Sequence, residues 1–155
     1  MTELGQTEEG IAELEAAAAP SPQFLMILPE VYVRVGRADK AFAIVDEELA
    51  RVESSGAHRQ EPVLYWLKGE AILMRDSSAT VEAEKCFRKA IEIARGQSAK
   101  WWELRATTSL ARLLRERNSR DEARLMLSEI YNWFTEGFDT ADLKDAKALL
   151  DELSN

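Results

Sequence analysis

Apolar positions recur with a period of 3.6 residues along almost the whole chain, and no window alternates apolar and polar residues long enough to make a strand. The pattern breaks at Pro20–Pro22, Gly36, Gly56–Ala57, Asp76–Ser78, Gly96–Ser98, Asn118–Ser119 and Gly137–Asp139. These residues favour turns over helix interiors. Cutting there predicts about eight helices, over roughly 7–18, 23–35, 38–54, 60–75, 79–95, 99–116, 120–135 and 140–153. Ser119 with Glu122 has the spacing of a capping box, and Asp139 is placed to cap the last helix with Asp142 in its first turn. Gly56, Gly96 and Gly137 suit left-handed helix ends. Pro29 falls within an otherwise helical run and predicts a kink or a late start to the second helix.

One apolar pattern appears three times: Ala41-Ile44-Val45-Leu49, Ala83-Cys86-Phe87-Ile91 and Ala123-Met126-Leu127-Tyr131. Offsets of 0, +3, +4 and +8 put each set on one helical face. Ala41 and Ala83 are 42 residues apart, and Ala83 and Ala123 are 40. The preceding helices repeat as well, with Tyr32, Ile72 and Leu114 nine, eleven and nine residues before the alanines. The longer interval marks a two-residue insertion at Asp76–Ser78. Helix pairs that repeat, with a small residue where helices meet, are the signature of an α-solenoid, because one pair cannot bury its apolar face alone.

These units resemble the tetratricopeptide repeat. Gly69 stands at the small position of the first helix in the middle unit, and Ala83, Phe87 and Ala90 at the small, large and small positions of the second. The outer units are degenerate, with Pro29 and Ala111 at the first small position and Glu48 and Ile130 at the last. The period exceeds the family's usual 34 residues, which leaves HEAT-like pairs as a lesser alternative. The run from Cys86 to Leu153, above all AKWWELRA (99–106) and YNWFTEGFDTADLKDAKALL (131–150), together with LYWLKGEAIL (64–73), resembles the tail of large bacterial signalling proteins. Those proteins join a class III adenylate or guanylate cyclase, or a transcription-factor domain, to a predicted signalling ATPase and then to tetratricopeptide repeats. The resemblance implies a non-catalytic module, with any cyclase or ATPase chemistry on domains outside these residues.

Composition agrees with a helical chain of one domain's size. The 155 residues are 46% apolar and 31% charged, and Ala, Leu, Glu, Arg and Lys dominate. A net charge of −8 argues against a nucleic-acid binder, which must neutralise phosphates, and against a basic membrane-surface helix. Apolar runs fall short of the roughly 18–20 residues that span a membrane. The acidic start MTELGQTEEG lacks the basic end and apolar core of a signal peptide. A cytoplasmic protein is expected. The single cysteine, Cys86, excludes an internal disulfide and lies on a core stripe, where a free thiol acts as a small hydrophobe.

Nothing assembles into a catalytic or metal-binding constellation. The chain has no phosphate-cradling loop, and His58 is the lone histidine, with no second His or Cys nearby. No catalytic residue, metal or cofactor is therefore expected. The acids of the C-terminal stretch, Glu136, Asp139, Asp142, Asp145, Asp151 and Glu152, alternate with Lys144 and Lys147 and read as a solvated face. Leu143, Ala146, Leu150 and Leu153 form the apolar stripe of a terminal capping helix, with Trp133, Phe134 and Phe138 filling the corner before it.

The expected architecture is therefore all-α: a TPR-like right-handed α-solenoid of about eight helices. Residues 1–20 form an acidic N-terminal segment with a leftover helix, 21–138 about three degenerate long helix pairs, and 139–155 the capping helix. The expected function is non-enzymatic protein–protein interaction. Mapping the family's concave groove onto this chain selects Met26, Glu30 and Arg34, then Trp66, Glu70 and Met74, then Arg105, Thr108, Arg112 and Arg115. Residues 99–125 are locally basic, with Lys100, Arg105, Arg112, Arg115, Arg117, Arg120 and Arg124 against Glu103, Glu116, Asp121 and Glu122. The stripe of Arg105, Arg112 and Arg115 points to an acidic or carboxylate-bearing peptide. On that reading Arg105→Glu with Arg112→Glu abolishes capture without unfolding the chain. The plainer reading is that these arginines pair with nearby acids. Trp101 and Trp102, about 100° apart on a helix, cannot face the same way, so one is expected in the core and the other on the groove or a contact surface. The alternative function is self-association into a homodimer through the first helix or the cap; a small-molecule or enzymatic role ranks below both. No nucleic acid or membrane partner is expected.

Overall fold

The computed structural model describes residues 2–18 and 27–155, with the side chains of 2–4, 17 and 18 excepted. Every element among them is helical: α1 (Thr2–Ala18), α2 (Ile27–Arg34), α3 (Ala38–Ser55), α4 (Glu61–Arg75), α5 (Thr80–Gly96), α6 (Lys100–Glu116), α7 (Arg120–Tyr131) and α8 (Ala141–Ser154), with a 3-10 turn at His58–Gln60. The third to sixth helices and the last lie within one residue of their predicted bounds. The expected start of the second, at 23–26, lies outside the described residues. The first begins five residues earlier than expected, at Thr2. The seventh ends four residues early, because i→i+3 bonds from Trp133 to Ile130 and from Phe134 to Tyr131 tighten the chain as Phe134 turns into the core. Pro29 sits in the first turn of α2, where its missing N–H leaves no bond unmade.

Each helix packs on the next from α1 through α8, and α2, α4, α6 and α8 also touch in succession along one side. The triple pattern has a uniform structural meaning. Ala41 and Val45, Ala83 and Phe87, and Ala123 and Leu127 are all completely buried, while Ile44, Cys86 and Met126 are half-buried. A small residue followed one turn later by a larger one is what lets two helices approach and interlock. Gly69 and Phe87 are the closest instance: the Phe87 ring fills the space where a Gly69 side chain would stand. α6 is the most enclosed helix, buried from Glu103 and Leu104 to Leu113 and Leu114 by α4, α5, α7 and α8.

Three turns share one construction. Arg37 N–H donates to Tyr32, Ala99 to Ala94 and Ser119 to Leu114, each around a left-handed residue: Gly36, Ser98 and Asn118. These 6→1 bonds satisfy the orphan carbonyls of the preceding helices. Gly56 is left-handed as expected, but Gly96 is not: it remains helical and Ser98 takes the positive φ two residues on. Gly137 is left-handed within the α7–α8 connection, beyond the end of α7. The expected caps are absent. Ser119 makes no side-chain capping bond, and the reciprocal half of the box is missing too: Glu122 is drawn to Arg88 of α5 and the Ser119 N–H donates to Leu114. Thr140, not Asp139, holds the N-cap position of α8. The insertion at Asp76–Ser78 is a closed turn, with Ser78 donating from its hydroxyl and N–H to Asp76, which holds that carboxyl below its ordinary range.

At the C-terminal end α8 covers α6 and α7 with Leu143, Ala146, Leu149 and Leu153. Leu149 replaces Leu150 in the expected stripe, and Leu150 is half-buried. Of the three aromatics expected in the corner only Phe134 is buried. Trp133 and Phe138 are exposed and stack outside it, Trp133 edge-on to Phe134 and Phe138 against Tyr131. No described helix is long and apolar enough to cross a membrane.

Candidate functional site

The approach of α2, α4, α6 and α8 leaves a cleft of about 260 Å³ between them. Seven of the residues selected from sequence line it: Glu30 and Arg34 from α2, Trp66 and Glu70 from α4, and Arg105, Thr108 and Arg112 from α6. The helical period places Glu30 with Arg34, and Trp66 with Glu70, one turn apart on the same face, so each helix contributes a polar pair to the opening. Met26 lies outside the described residues. Met74 is one turn further along α4 and borders a separate depression with Gly36, Arg37 and Lys40. Arg115 is directed away from the cleft to an ion pair with Glu152 at the end of α8.

Sequence reasoning missed five residues of the lining: Val33, Leu67, Ser109, Asp142 and Asp145. Ser109 completes a hydrogen-bonded chain across the floor. The Trp66 indole N–H donates to Ser109 Oγ at 2.9 Å, and that hydroxyl in turn donates to Glu70. Trp66 is thereby fixed in orientation, with its ring half-buried beside Leu67. Asp142 and Asp145 come from α8, the helix whose acids read as a solvated face. The one available signal was their i, i+3 spacing at the start of a helix that returns over α6.

Arg105 is the centre of the cleft. Its Nε donates to Asp142 at 3.0 Å and its Nη1 lies 3.7 Å from Glu30, so one guanidinium joins α2, α6 and α8. The same group lies over two indole rings, 5.3 Å from the centre of Trp66 and 5.2 Å from that of Trp102. The two rings are themselves 6.4 Å apart and tilted by 40°. A planar, weakly hydrated cation suits this position better than an ammonium. Trp102 is half-buried on this face, and Trp101, on the other, is exposed and stacks on Phe134 at 4.8 Å. Neither tryptophan is fully core. An apolar recess between them, bordered by Arg105, Thr140 and Asp142, adjoins the cleft and shares Arg105 and Asp142 with it.

The arginine stripe is thus mostly occupied. Arg34 pairs with Glu30 at 2.9 Å, Arg105 with Asp142, and Arg115 with Glu152. The Arg105 and Arg115 partners are distant in sequence, unlike the nearby acids of the plainer reading. Arg112 is exposed and has no ion-pair partner among the described residues, and the same holds for Asp145 on the facing helix. Arg105→Glu would set a third carboxylate beside Glu30 and Asp142. That substitution alters the walls of the cleft and no longer separates binding from folding.

Away from the cleft, His58 lies in the 3-10 turn with Nδ1 3.0 Å from Glu61. Cys86 is half-buried, and burial raises its thiol above the ordinary range. Comparison with protein-family models, with curated proteins and with solved structures gives no match.

Proposed function

We propose that the chain is a helical-repeat interaction module of tetratricopeptide type, and that the cleft between α2, α4, α6 and α8 receives an extended segment of a partner protein or a neighbouring domain. The observation that carries this is the convergence of seven groove positions, on three separate helices, around one cleft. The ordered run of contacts through α2, α4, α6 and α8 supports the repeat reading, since stacked pairs bring their first helices together on one side. Membership of a bacterial cyclase- or ATPase-type signalling protein rests on the sequence resemblance and is proposed on that ground alone.

The lining defines the segment more narrowly than an acidic peptide. Glu30, Glu70, Asp142 and Asp145 face Arg34, Arg105 and Arg112 across the opening. Arg34 and Arg105 are already paired, so a strongly acidic chain meets unshared carboxylates. The fitting segment has an apolar side chain to lie on Trp66, Val33 and Leu67 and one carboxylate to reach Arg112. Its remaining groups are neutral or basic. Arg112 is exposed, so a carboxylate paired with it gains about 1 kcal/mol or less, up to roughly fivefold in affinity.

Peptides selected from a displayed random library on the wild-type chain provide the test. Arg112→Glu and Asp145→Lys touch exposed groups outside the ion pairs of the cleft, so both variants keep the wild-type unfolding midpoint. Arg112→Glu, which replaces that attraction by repulsion, weakens the selected peptides severalfold, and Asp145→Lys shifts selection towards acidic sequences. Peptides that bind both variants as tightly as wild type overturn the cleft assignment.

A further inference from the structure

The other end of the molecule carries a second surface, independent of the cleft. α1 contains Glu3, Glu8, Glu9, Glu13 and Glu15 and neither Lys nor Arg. Glu8, Ile11 and Glu15 share one face at offsets of 0, +3 and +7. That face meets a seat formed by α2 and the start of α3. Ile11 is buried among Leu28, Tyr32 and Ala41, with Leu14 partly buried beside them. Glu8 accepts from Arg37, and Glu15 accepts from the Tyr32 hydroxyl and lies 3.4 Å from Lys40. The seat is therefore specific in chemistry: a small apolar socket bounded by two cations and a phenol, matched to an acidic helix with an isoleucine between two glutamates. The hydrogen bonds and cations hold Glu15 below its ordinary range, and burial with donation to Glu15 raises the Tyr32 phenol to about 12.

The attachment is shallow. Ile11 is the one fully buried side chain among those described for α1, whereas α3 buries four residues and α6 ten. Most of the rest of the contact is polar and open to water, where each ion pair contributes about 0–1 kcal/mol and weakens with salt. Eight residues, 19–26, connect α1 to α2. Such a segment spans up to about 28 Å when extended. Every group of the seat lies outside α1, on α2, α3, the turn between them and, through Ala71, α4, so a second copy presents the same seat to the same helix.

We infer that the α2–α3 seat takes α1 from a second copy of this chain, the two molecules exchanging helices reciprocally. Each chain supplies Glu8, Ile11 and Glu15, and its partner supplies Arg37, Lys40 and Tyr32. Exchange adds no new contact and is set by concentration: it competes with the millimolar effective concentration that a short linker gives each chain's own α1.

Charge-exchanged full-length chains isolate this. One variant carries Glu8→Lys and Glu15→Lys; the other carries Arg37→Glu and Lys40→Glu. Neither matches its own seat, alone or with itself. Mixed, each α1 matches the other chain's seat. The expected result is that each variant alone scatters as a monomer of 17.5 kDa, and that the equimolar mixture approaches about twice that mass well below roughly 1 mM, because no contact within one chain competes. The wild-type mass itself rises only as the concentration approaches roughly 1 mM, and a wild-type chain that stays monomeric there overturns the inference. A chain bearing all four substitutions matches in cis and reports, by restored helix content and a monomer mass at low concentration, that the reversed charges still dock. A mixture that stays monomeric over that range overturns the inference, with α1 then a fixed cover of its own chain. So does a dimer formed by either variant alone, since it would not use the seat. The cleft residues are unchanged throughout, so failure here leaves the peptide-binding proposal standing.

Discussion

A methyl group added at Gly69 has no room. It would lie 2.5 Å from Cε1 and 2.8 Å from Cδ1 of Phe87, whereas carbon atoms rest at about 3.5–4.0 Å. The Phe87 ring is fully buried between α4 and α5, so it has no solvent to swing into, and the helices must part. Overpacking of this kind costs about 1–3 kcal/mol. Against it stands a gain of about 0.5–1 kcal/mol for replacing glycine within a helix. The clash outweighs that gain, and Gly69→Ala destabilises by about 1–2 kcal/mol. For a chain of this size that lowers the thermal midpoint by roughly 2–8 °C. Phe87→Leu, which removes the ring edge, costs about 1 kcal/mol by itself through lost packing. Together the two changes relieve each other, so the double variant is less destabilised than their sum by about 1 kcal/mol. Urea and thermal unfolding followed by circular dichroism measure all four chains. A Gly69→Ala chain that melts at or above wild type, or strictly additive costs, would refute the close approach of α4 and α5 at this point.

Two further expectations come from charges at the other helix junctions. Glu103 is buried, with its side chain 5% exposed, and is held by Arg95 at 2.8 Å and Lys100 at 3.1 Å, both far more open to water. Removing the carboxylate leaves two solvated cations and costs about 1 kcal/mol or less; removing both cations strands a buried carboxylate and costs about 3 kcal/mol. Urea midpoints of Glu103→Ala and of Arg95→Ala with Lys100→Ala check this asymmetry, and equal losses would contradict it. Tyr32 holds its phenolic proton up to about pH 12 in the folded chain, through burial and its bond to Glu15, while an unfolded tyrosine releases it near 10. Its stabilising contribution is complete below pH 10 and is lost between 10 and 12. Ultraviolet titration shows one late phenol, absent in Tyr32→Phe, and a Glu15→Gln chain brings the transition down.

The three Ala-x3-large pairs were legible because they are short-range statements, whereas the contact of Gly69 with Phe87 joins two helices and came only with the packing. A residue and its neighbour one turn away occupy the same face in any helix, so the pattern marks the face before the partner is known. Turn chemistry was only half legible. Asn118 and Gly56 fall where the chain breaks, but Ser98 takes the left-handed role expected of Gly96, because the 6→1 bond from Ala99 to Ala94 fixes which residue must turn. The carboxylate half of the capping box is missing for a tertiary reason: Glu122 pairs with Arg88, on a helix the local sequence does not mention.

The amino-acid sequence by itself determined the helices and most of their buried faces. It did so because a 3.6-residue period is written into every stretch of the chain. The state of each charge was decided only when the helices packed. Arg105 meets Asp142, thirty-seven positions on, and lies over Trp66 and Trp102; Ser109 links Trp66 to Glu70; Arg112 is left without an ion-pair partner among the described residues. Coulomb and hydrogen-bond energies depend on distances of a few ångströms between different helices. Those distances are properties of the packing, and no local pattern carries them.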